Sequence, residues 1–241
     1  RIVILHSDTP PSGAHVTCAS DEGVLSLKAV RWGGYDLSPP LISFASPPSA
    51  TPLVPEGLAF DRRNSRILIA SLGMGSGIHS ISFTPFSIQQ NATLKRVTSV
   101  ESGEGGRGML GVHVDERRSV VFAAELNHGV SAIHLADGSV WWRAVLSRVS
   151  RPAGLGPHGE RVTFNDVAVS SKGYVFVTES RDSEVYRVSP DGTSAVLMAV
   201  GAGLVREGGI GANGIEVVVG PLGEEVLLVA VYGKQSEGGV L

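Results

Sequence analysis

Short runs of alternating apolar and polar residues, separated by glycine-rich and polar turns, occupy most of the chain. Four longer segments share one plan: a small or polar pair, an alternating strand, a polar turn and a second strand. They are PEGLAFDRRNSRILIASL from Pro55, MLGVHVDERRSVVFAAEL from Met109, FNDVAVSSKGYVFVTES from Phe164 and ANGIEVVVGPLGEEVLLVAV from Ala212. Stretches with a sustained period of 3.6 residues are hard to find, so the pattern predicts an all-β fold.

The four segments recur at a nearly constant spacing. The second residue of the pair is Gly57, Gly111, Asp166 or Gly214, and the spacing of roughly 50 residues is close to that of common propeller blades. In the first three units a third and an outer strand follow, beginning at Gly77 and Leu94, Gly129 and Val140, and Glu184 and Ser194. Four strands per unit with Asp-Gly turns predict a β-propeller, of which about four blades are visible.

Residues 51 to 241 hold these predicted blades, and residues 1 to 50 form a different N-terminal segment. This segment is rich in Pro and Ser and lacks the phase of the blades. Two runs in it, RIVIL from Arg1 and GVLSLKAV from Gly23, are candidate strands. We therefore predict that the N-terminal segment contributes to a closing blade.

Composition excludes several classes of function. Apolar residues make up 42% of the 241 residues and charged residues 18%, as in globular proteins. The net charge is −3, with acidic and basic residues interleaved, so we expect no nucleic-acid partner. Cys18 is the only cysteine, which excludes an intrachain disulfide and a cysteine-based zinc site. No run reaches the ~18 apolar residues of a membrane-spanning helix.

The first residue of each pair points to a metal site. In a propeller the innermost strands run along a central channel, so their first residues lie close to the axis. At these four positions the chain has Glu56, Leu110, Asn165 and Asn213, three of which offer oxygen ligands. Calcium accepts carboxylates and amide carbonyls together, whereas zinc and copper favour His or Cys. The alternative is that these pairs are ordinary turn residues whose side chains cap backbone groups.

Other residues are weaker candidates for chemistry. Asp166 lies beside Asn165 and is the candidate for a general base or for a supporting group of the metal site. Glu125 and Glu179 end the second strands of their units, where they are predicted to face the channel mouth. His113 and His128 have no metal-ligand spacing, so structural roles are favoured.

Several of these segments resemble one known family. PEGLAFD, FNDVAVSSKGYVFVTES with VYRVSPDG, and ANGIEVVVG are similar to the senescence-marker-protein/gluconolactonase/luciferin-regenerating-enzyme family, especially its plant calcium-dependent phosphotriesterase-like members. The resemblance covers about residues 52 to 235. It implies a six-bladed propeller with calcium in the tunnel, held by Glu56, Asn165 and Asn213. The family's fourth ligand, an Asp from a further blade, has no counterpart here, so we expect a fragment or an incomplete propeller.

The resemblance implies a calcium-dependent hydrolase of small lactones, esters or phosphotriesters, with calcium or another divalent cation as cofactor. Two alternatives stay open: a metal-free propeller of the strictosidine-synthase kind, and a non-catalytic scaffold or truncated relative. The phased Asn residues argue against the metal-free propeller, and the missing blades favour the scaffold. We expect a monomer. The sequon at Asn91 and the likeness to plant members favour a secreted or endomembrane location.

Overall fold

The computed structural model describes residues 2–6, 18–21, 24–27, 42–45, 54–72, 77–82, 94–96, 108–152, 162–200 and 210–232. Within these ranges the regular structure consists of β-strands and one short 3-10 turn, Leu146–Arg148. The prediction of an all-β fold is therefore confirmed. The predictions for Cys18 and for the sequon at Asn91 concern a side chain and a segment outside the described residues.

Three four-stranded antiparallel sheets form the first three blades. The first blade contains β5 (Val54–Asp61), β6 (Arg66–Leu72), β7 (Gly77–Ser82) and β8 (Leu94–Arg96). The second contains β9 (Met109–Asp115), β10 (Val120–Glu125), β11 (Gly129–His134) and β12 (Val140–Val145). The third contains β13 (Phe164–Val169), β14 (Val175–Glu179), β15 (Glu184–Val188) and β16 (Ala195–Val200).

A fourth sheet follows with β17 (Ile210–Val219) and β18 (Glu225–Tyr232). Its inner strand begins two residues before the predicted start at Ala212, because Ile210 already pairs with Tyr232. The innermost strands contact one another in chain order, β5 with β9, β9 with β13 and β13 with β17. Successive sheets that pack face to face with their first strands side by side form a partial β-propeller, as predicted.

The N-terminal segment contributes one strand to this fourth sheet. β1 (Ile2–His6) pairs with β18 in parallel, and Ile4 lies opposite Val229. Three further strands, β2 (Cys18–Asp21), β3 (Val24–Leu27) and β4 (Ile42–Ala45), form a separate antiparallel sheet. The segment thus reaches the fourth blade through β1.

The hydrophobic core lies between the blades. Each of three buried clusters joins two neighbouring sheets; they are centred on Leu68 and Met109, on Phe122 and Tyr186, and on Phe176 and Val229. The paired tryptophans of β12 follow the alternation of a strand: Trp142 packs against Phe122, with ring centroids 5.7 Å apart, and Trp141 is 46% exposed. Apolar burial between sheets thus holds the inner strands beside one another.

Candidate metal site at the inner-strand bulges

Every inner strand contains the same irregularity. In all four sheets the pairing with the second strand shifts so that two inner residues lie opposite a single residue of the partner. The doubled positions are Glu56-Gly57, Leu110-Gly111, Asn165-Asp166 and Asn213-Gly214, opposite Ala70, Ala124, Thr178 and Ala230. These are β-bulges, which bend the strand and redirect its side chains. The pair identified in each repeat of the sequence is therefore the bulge itself.

The bulges line one cavity, which we call the rim cavity. It has a volume of about 270 Å³, and its described lining comprises Glu56, Gly57, Leu58, Leu110, Gly111, Val112, Asn165, Asp166 and Asn213. Adjacent residues of a regular strand point to opposite faces, yet Asn165 and Asp166 both line this cavity because the bulge interrupts the alternation. The structure thus brings together all four residues predicted to form the site.

The charged side chains in the described lining of the rim cavity are all acidic. Its lining includes two acidic residues, Glu56 and Asp166, and two amide residues, Asn165 and Asn213. Among the described residues that line the cavity, none is Lys, Arg or His. The two acidic side chains therefore lack a cationic partner within the described lining.

Asp166 is fixed by backbone groups of two sheets. Its Oδ1 accepts the N–H of Val167 at 2.8 Å, and its Oδ2 accepts the N–H of Ile215 in the fourth sheet at 3.0 Å. Burial raises the pKa of Asp166 above its ordinary value, although these two hydrogen bonds act to lower it. Asp166 therefore forms the side-chain to backbone bonds of the capping alternative while it also lines the cavity.

Thr178 supports both sides of the rim and was missed in the sequence. Its hydroxyl accepts the backbone N–H of Asp166 at 3.1 Å and donates to the carbonyl of Asn213. The side chain is fully buried. Thr178 stands opposite the bulge in the third sheet, where the other three sheets have Ala. In the sequence, Thr178 differs from the other three blades only by replacing this Ala. The difference could be interpreted only once the bulge opposite it was known.

Two glycines allow the inner strands to approach one another. A Cβ on Gly111 would fall 2.5 Å from the Cα of Asp166 and still closer to its Oδ1. A Cβ on Gly57 would fall 3.0 Å from the Cα of Gly111 and would overlap the carbonyl of Leu110. Glycine at these bulges is thus required by the proximity of the next blade.

The prediction that Glu125 and Glu179 face the channel mouth is wrong, because both side chains are fully buried inside their blades. Glu125 accepts hydrogen bonds from Ser131 and from Arg143. Glu179 accepts three backbone N–H groups, those of Thr163, Arg181 and Asp182. Their partners lie in loops and neighbouring strands, so these carboxylates organise the blades.

A second acidic group, in the third blade, is partly neutralised by an arginine. Carboxylate oxygens of Glu179, Asp182 and Glu184 lie within 4.8 Å of one another. Arg151 forms ion pairs with Asp182 at 3.2 Å and with Glu184 at 2.5 Å. Arg151 therefore offsets part of the charge that would attract a cation, whereas no cationic side chain lies in the described lining of the rim cavity.

Neither histidine belongs to the described lining of the rim cavity. His128 is in the turn between β10 and β11. His113, in the middle of β9, lines a different cavity but is close enough to attract Asp166. No helix in the described ranges has the length and apolar character required to cross a bilayer.

Comparison with known proteins gives a fold and no family. No protein-family model and no curated protein matches the chain. The crystal structure of the major Malassezia sympodialis allergen Mala s 1 is similar, with a TM-score of 0.52, 16% sequence identity, and coverage of 73% of this chain and 62% of that chain. At this identity the likeness shows the fold alone.

Two other solved structures are more distant. A protein of unknown function from Bacteroides caccae has a TM-score of 0.48 at 13% identity, covering 78% of this chain and 56% of that one. A nidogen/laminin complex has a TM-score of 0.44 at 14% identity, covering 72% of this chain and 55% of that one. The chain therefore spans 55% to 62% of the length of the structures it resembles.

Proposed function

We propose that the rim cavity binds a divalent cation, calcium in the first place, and that this site serves the hydrolysis of a small lactone, ester or phosphotriester. One observation carries the proposal: two carboxylates and two amides from three sheets line one cavity whose described lining has no cationic side chain. Hard cations such as calcium are bound by oxygen ligands of these types.

The residues present suit such an ion. Glu56 and Asp166 provide negative charge, and Asn165 and Asn213 provide neutral oxygens, the mixture that calcium accepts. Asp166 is already oriented by two backbone N–H groups, so little side-chain freedom remains to be lost on binding. We assign Glu56, Asn165 and Asn213 as the metal ligands.

A bound calcium ion supplies Lewis-acid polarisation of a carbonyl or phosphoryl oxygen. In this proposal the chain's own residues hold and orient the substrate beside the rim. Asp166 accepts a proton from the attacking nucleophile through a lone pair not used by the N–H groups of Val167 and Ile215. The resemblance to the senescence-marker-protein/gluconolactonase/luciferin-regenerating-enzyme family supports this reaction class.

Thermal unfolding with and without calcium tests the metal site. A ligand that binds only the folded state stabilises it by about 2.7 kcal/mol at one hundred times its Kd, so we expect a melting temperature that rises with calcium and saturates. Glu56→Gln removes one charge from the rim and should weaken calcium binding about tenfold or more. Asn213→Asp adds a carboxylate and should strengthen it.

The matched control is Glu224→Gln, which removes the same charge from the exposed turn between β17 and β18. It should leave the calcium response unchanged. An equal loss of response in Glu224→Gln and Glu56→Gln would indicate general charge attraction and contradict a site at the rim.

Activity is tested separately with a panel of a lactone, an aryl ester and a phosphotriester, each with calcium and with a chelator. We expect turnover that requires calcium and is lost in Asp166→Asn. Calcium binding without turnover of any substrate would reject the hydrolase and leave a metal-binding scaffold. Absence of both would favour the metal-free propeller or the scaffold.

A further inference from the structure

A second and larger cavity lies at the other end of the inner strands, and we call it the far cavity. It has a volume of about 410 Å³ and is formed where β5, β9 and β13 end and turn back. Its described lining comprises Phe60, Arg62, His113, Val114, Asp115, Glu116, Arg117, Arg118, Val169, Ser170 and Ser171. Arg62 follows Glu56 by six positions, an extended span of about 20 Å, and the two described linings share no residue.

One ion pair in the far cavity is structural. Asp115 closes the turn after β9 by accepting the backbone N–H of Arg118 at 3.1 Å, and it also pairs with the Arg118 guanidinium. That guanidinium lies against Gly173 of the third blade, where an added Cβ would come within 2.7 Å of Cζ. Asp115 and Arg118 thus neutralise each other and fix the wall of the cavity.

The remaining charges leave a positive excess. Glu116 accepts the backbone N–H of Arg62 at 2.9 Å, so it links the turns of the first two blades. The guanidinium groups of Arg62 and Arg117 have neither an ion pair nor a side-chain hydrogen bond with any described residue. Two exposed arginines without an ion pair to a described residue therefore line this cavity beside the carboxylate of Glu116.

A buried hydroxyl completes the arrangement. Ser170 is 5% exposed, lines the cavity, and uses its Oγ to accept the N–H of Tyr174 at 3.0 Å. The hydroxyl hydrogen is not used in a hydrogen bond to a described residue, so it is available to donate to a bound group. Arginine forks together with a hydroxyl donor are the groups that bind tetrahedral oxyanions.

We infer that the far cavity binds the phosphate group of inorganic phosphate or of a phosphomonoester. Arg62 and Arg117 contact the phosphate oxygens from two blades, and Ser170 donates from the third. The site is independent of the rim cavity, because it uses other residues, needs no metal and requires an anion.

Phosphate titration of the full chain, followed by two-dimensional amide NMR, tests this site. A chelator excludes calcium, and sodium chloride holds the ionic strength constant, because exposed charges are screened by salt. We expect saturable shifts of amides in residues 113 to 118 and 170 to 171. Arg62→Gln and Arg117→Gln should each weaken phosphate binding by about threefold to tenfold.

Arg63→Gln is the matched control. Arg63 lies next to Arg62 in the same turn, has the same charge, and donates to the hydroxyl of Ser119 at 2.9 Å, but it is not part of the cavity lining. Its substitution should leave phosphate affinity unchanged. Shifts that do not saturate, or an equal loss of affinity in Arg63→Gln and Arg62→Gln, would overturn the proposal.

A parallel titration with a phosphomonoester distinguishes the two sources of the group. Tighter binding of the ester, with the same dependence on Arg62 and Arg117, identifies an organic phosphate, and equal binding identifies the free ion. Loss of calcium binding in Glu56→Gln has no bearing on this outcome, so the two proposals fail separately.

Discussion

Inner strands β9 and β13 share the bulged pairing but carry their aspartates at opposite ends. At the rim, the second blade presents Leu110-Gly111 and the third presents Asn165-Asp166. Five residues further on, the second blade closes its turn with the carboxylate of Asp115, and the third uses the hydroxyl of Ser170. Every inner strand thus has the bulge, whereas the polar side chains on it differ from one blade to the next.

The two aspartates differ in their surroundings as well. Burial acts to raise the pKa of Asp115, but hydrogen bonds and attraction from Arg118 hold that pKa below its ordinary value. Asp166 forms no ion pair with a described residue, and burial raises its pKa despite two backbone hydrogen bonds and the attraction of His113. At the far end, Arg118 pairs with the carboxylate of Asp115. The described lining of the rim cavity has no cationic side chain. This difference supports the proposal that the rim takes an added positive ion.

The largest change in stability is expected where β9 contacts β13. Gly111→Ala places a Cβ on the backbone of Asp166, which must shift because interiors tolerate little overpacking. We expect a loss of about 3 kcal/mol or more in the free energy of unfolding, measured by chemical denaturation. Calcium binding should weaken with it.

Gly214→Ala is the control at the equivalent position of the fourth sheet. Its Cβ would meet only ordinary contacts, 3.6 Å from the Cβ of Ala230 and 3.8 Å from Oδ2 of Asp166. The free energy of unfolding should change by less than about 1 kcal/mol. Similar losses for the two variants would show that the bulges, and not the approach of β9 to β13, require glycine.

A smaller effect is expected at Thr178, which gives the third blade its polar bulge. Thr178→Val keeps the shape of the side chain but removes one donor and one acceptor, leaving the Asn213 carbonyl and the Asp166 N–H without this partner. We expect a loss of about 2 kcal/mol in the free energy of unfolding. Thr178→Ser retains the hydroxyl and should preserve the calcium response better than Thr178→Val. If Thr178→Val binds calcium as the parent does, Thr178 does not position the rim.

The smallest effect concerns pH at the far end of β9. Because the pKa of Asp115 is lowered on folding, its contribution to stability is present at neutral pH and is lost as pH falls through the folded-state pKa. Asp115→Asn should lower the free energy of unfolding by about 1–2 kcal/mol near neutral pH. This difference from the parent should vanish between about pH 5 and pH 2.

The pH dependence must be measured as a difference between the parent and Asp115→Asn, because titration of Asp166 changes the free energy of unfolding in the opposite direction. Its raised pKa favours the protonated folded state, so its contribution is present at low pH and is lost as pH rises through the folded-state value. A difference between parent and Asp115→Asn that grew toward acid pH would contradict the role of the Asp115–Arg118 pair.

Much of the fold could be predicted because each blade is built from contacts that are local in sequence. Alternation located the strands, and the spacing of the pairs placed Glu56, Asn165, Asp166 and Asn213 at one end of the channel, where the structure has them. The bulge itself was not predicted, because a doubled position exists only relative to a paired strand.

Features that depend on distant partners were missed. Thr178 acts on Asn213, 35 residues away, and the far cavity combines turns that are more than 50 residues apart. Glu125 was placed wrongly because the end of a strand suggests exposure, whereas its charge is paired with Arg143 inside the blade. Side-chain pairing of this kind has no periodic signal in one sequence.

The parallel pairing of β1 with β18 has a consequence for the order of folding. Ile2–His6 leaves the ribosome first among the described strands, and its partner, residues 227 to 231, leaves among the last. The first three blades form from neighbouring segments and are complete before that partner exists. β1 must therefore wait with its edge unpaired until the chain has been synthesised as far as β18. The fourth sheet is the slowest of the described sheets to assemble, because its closure joins distant parts of the chain.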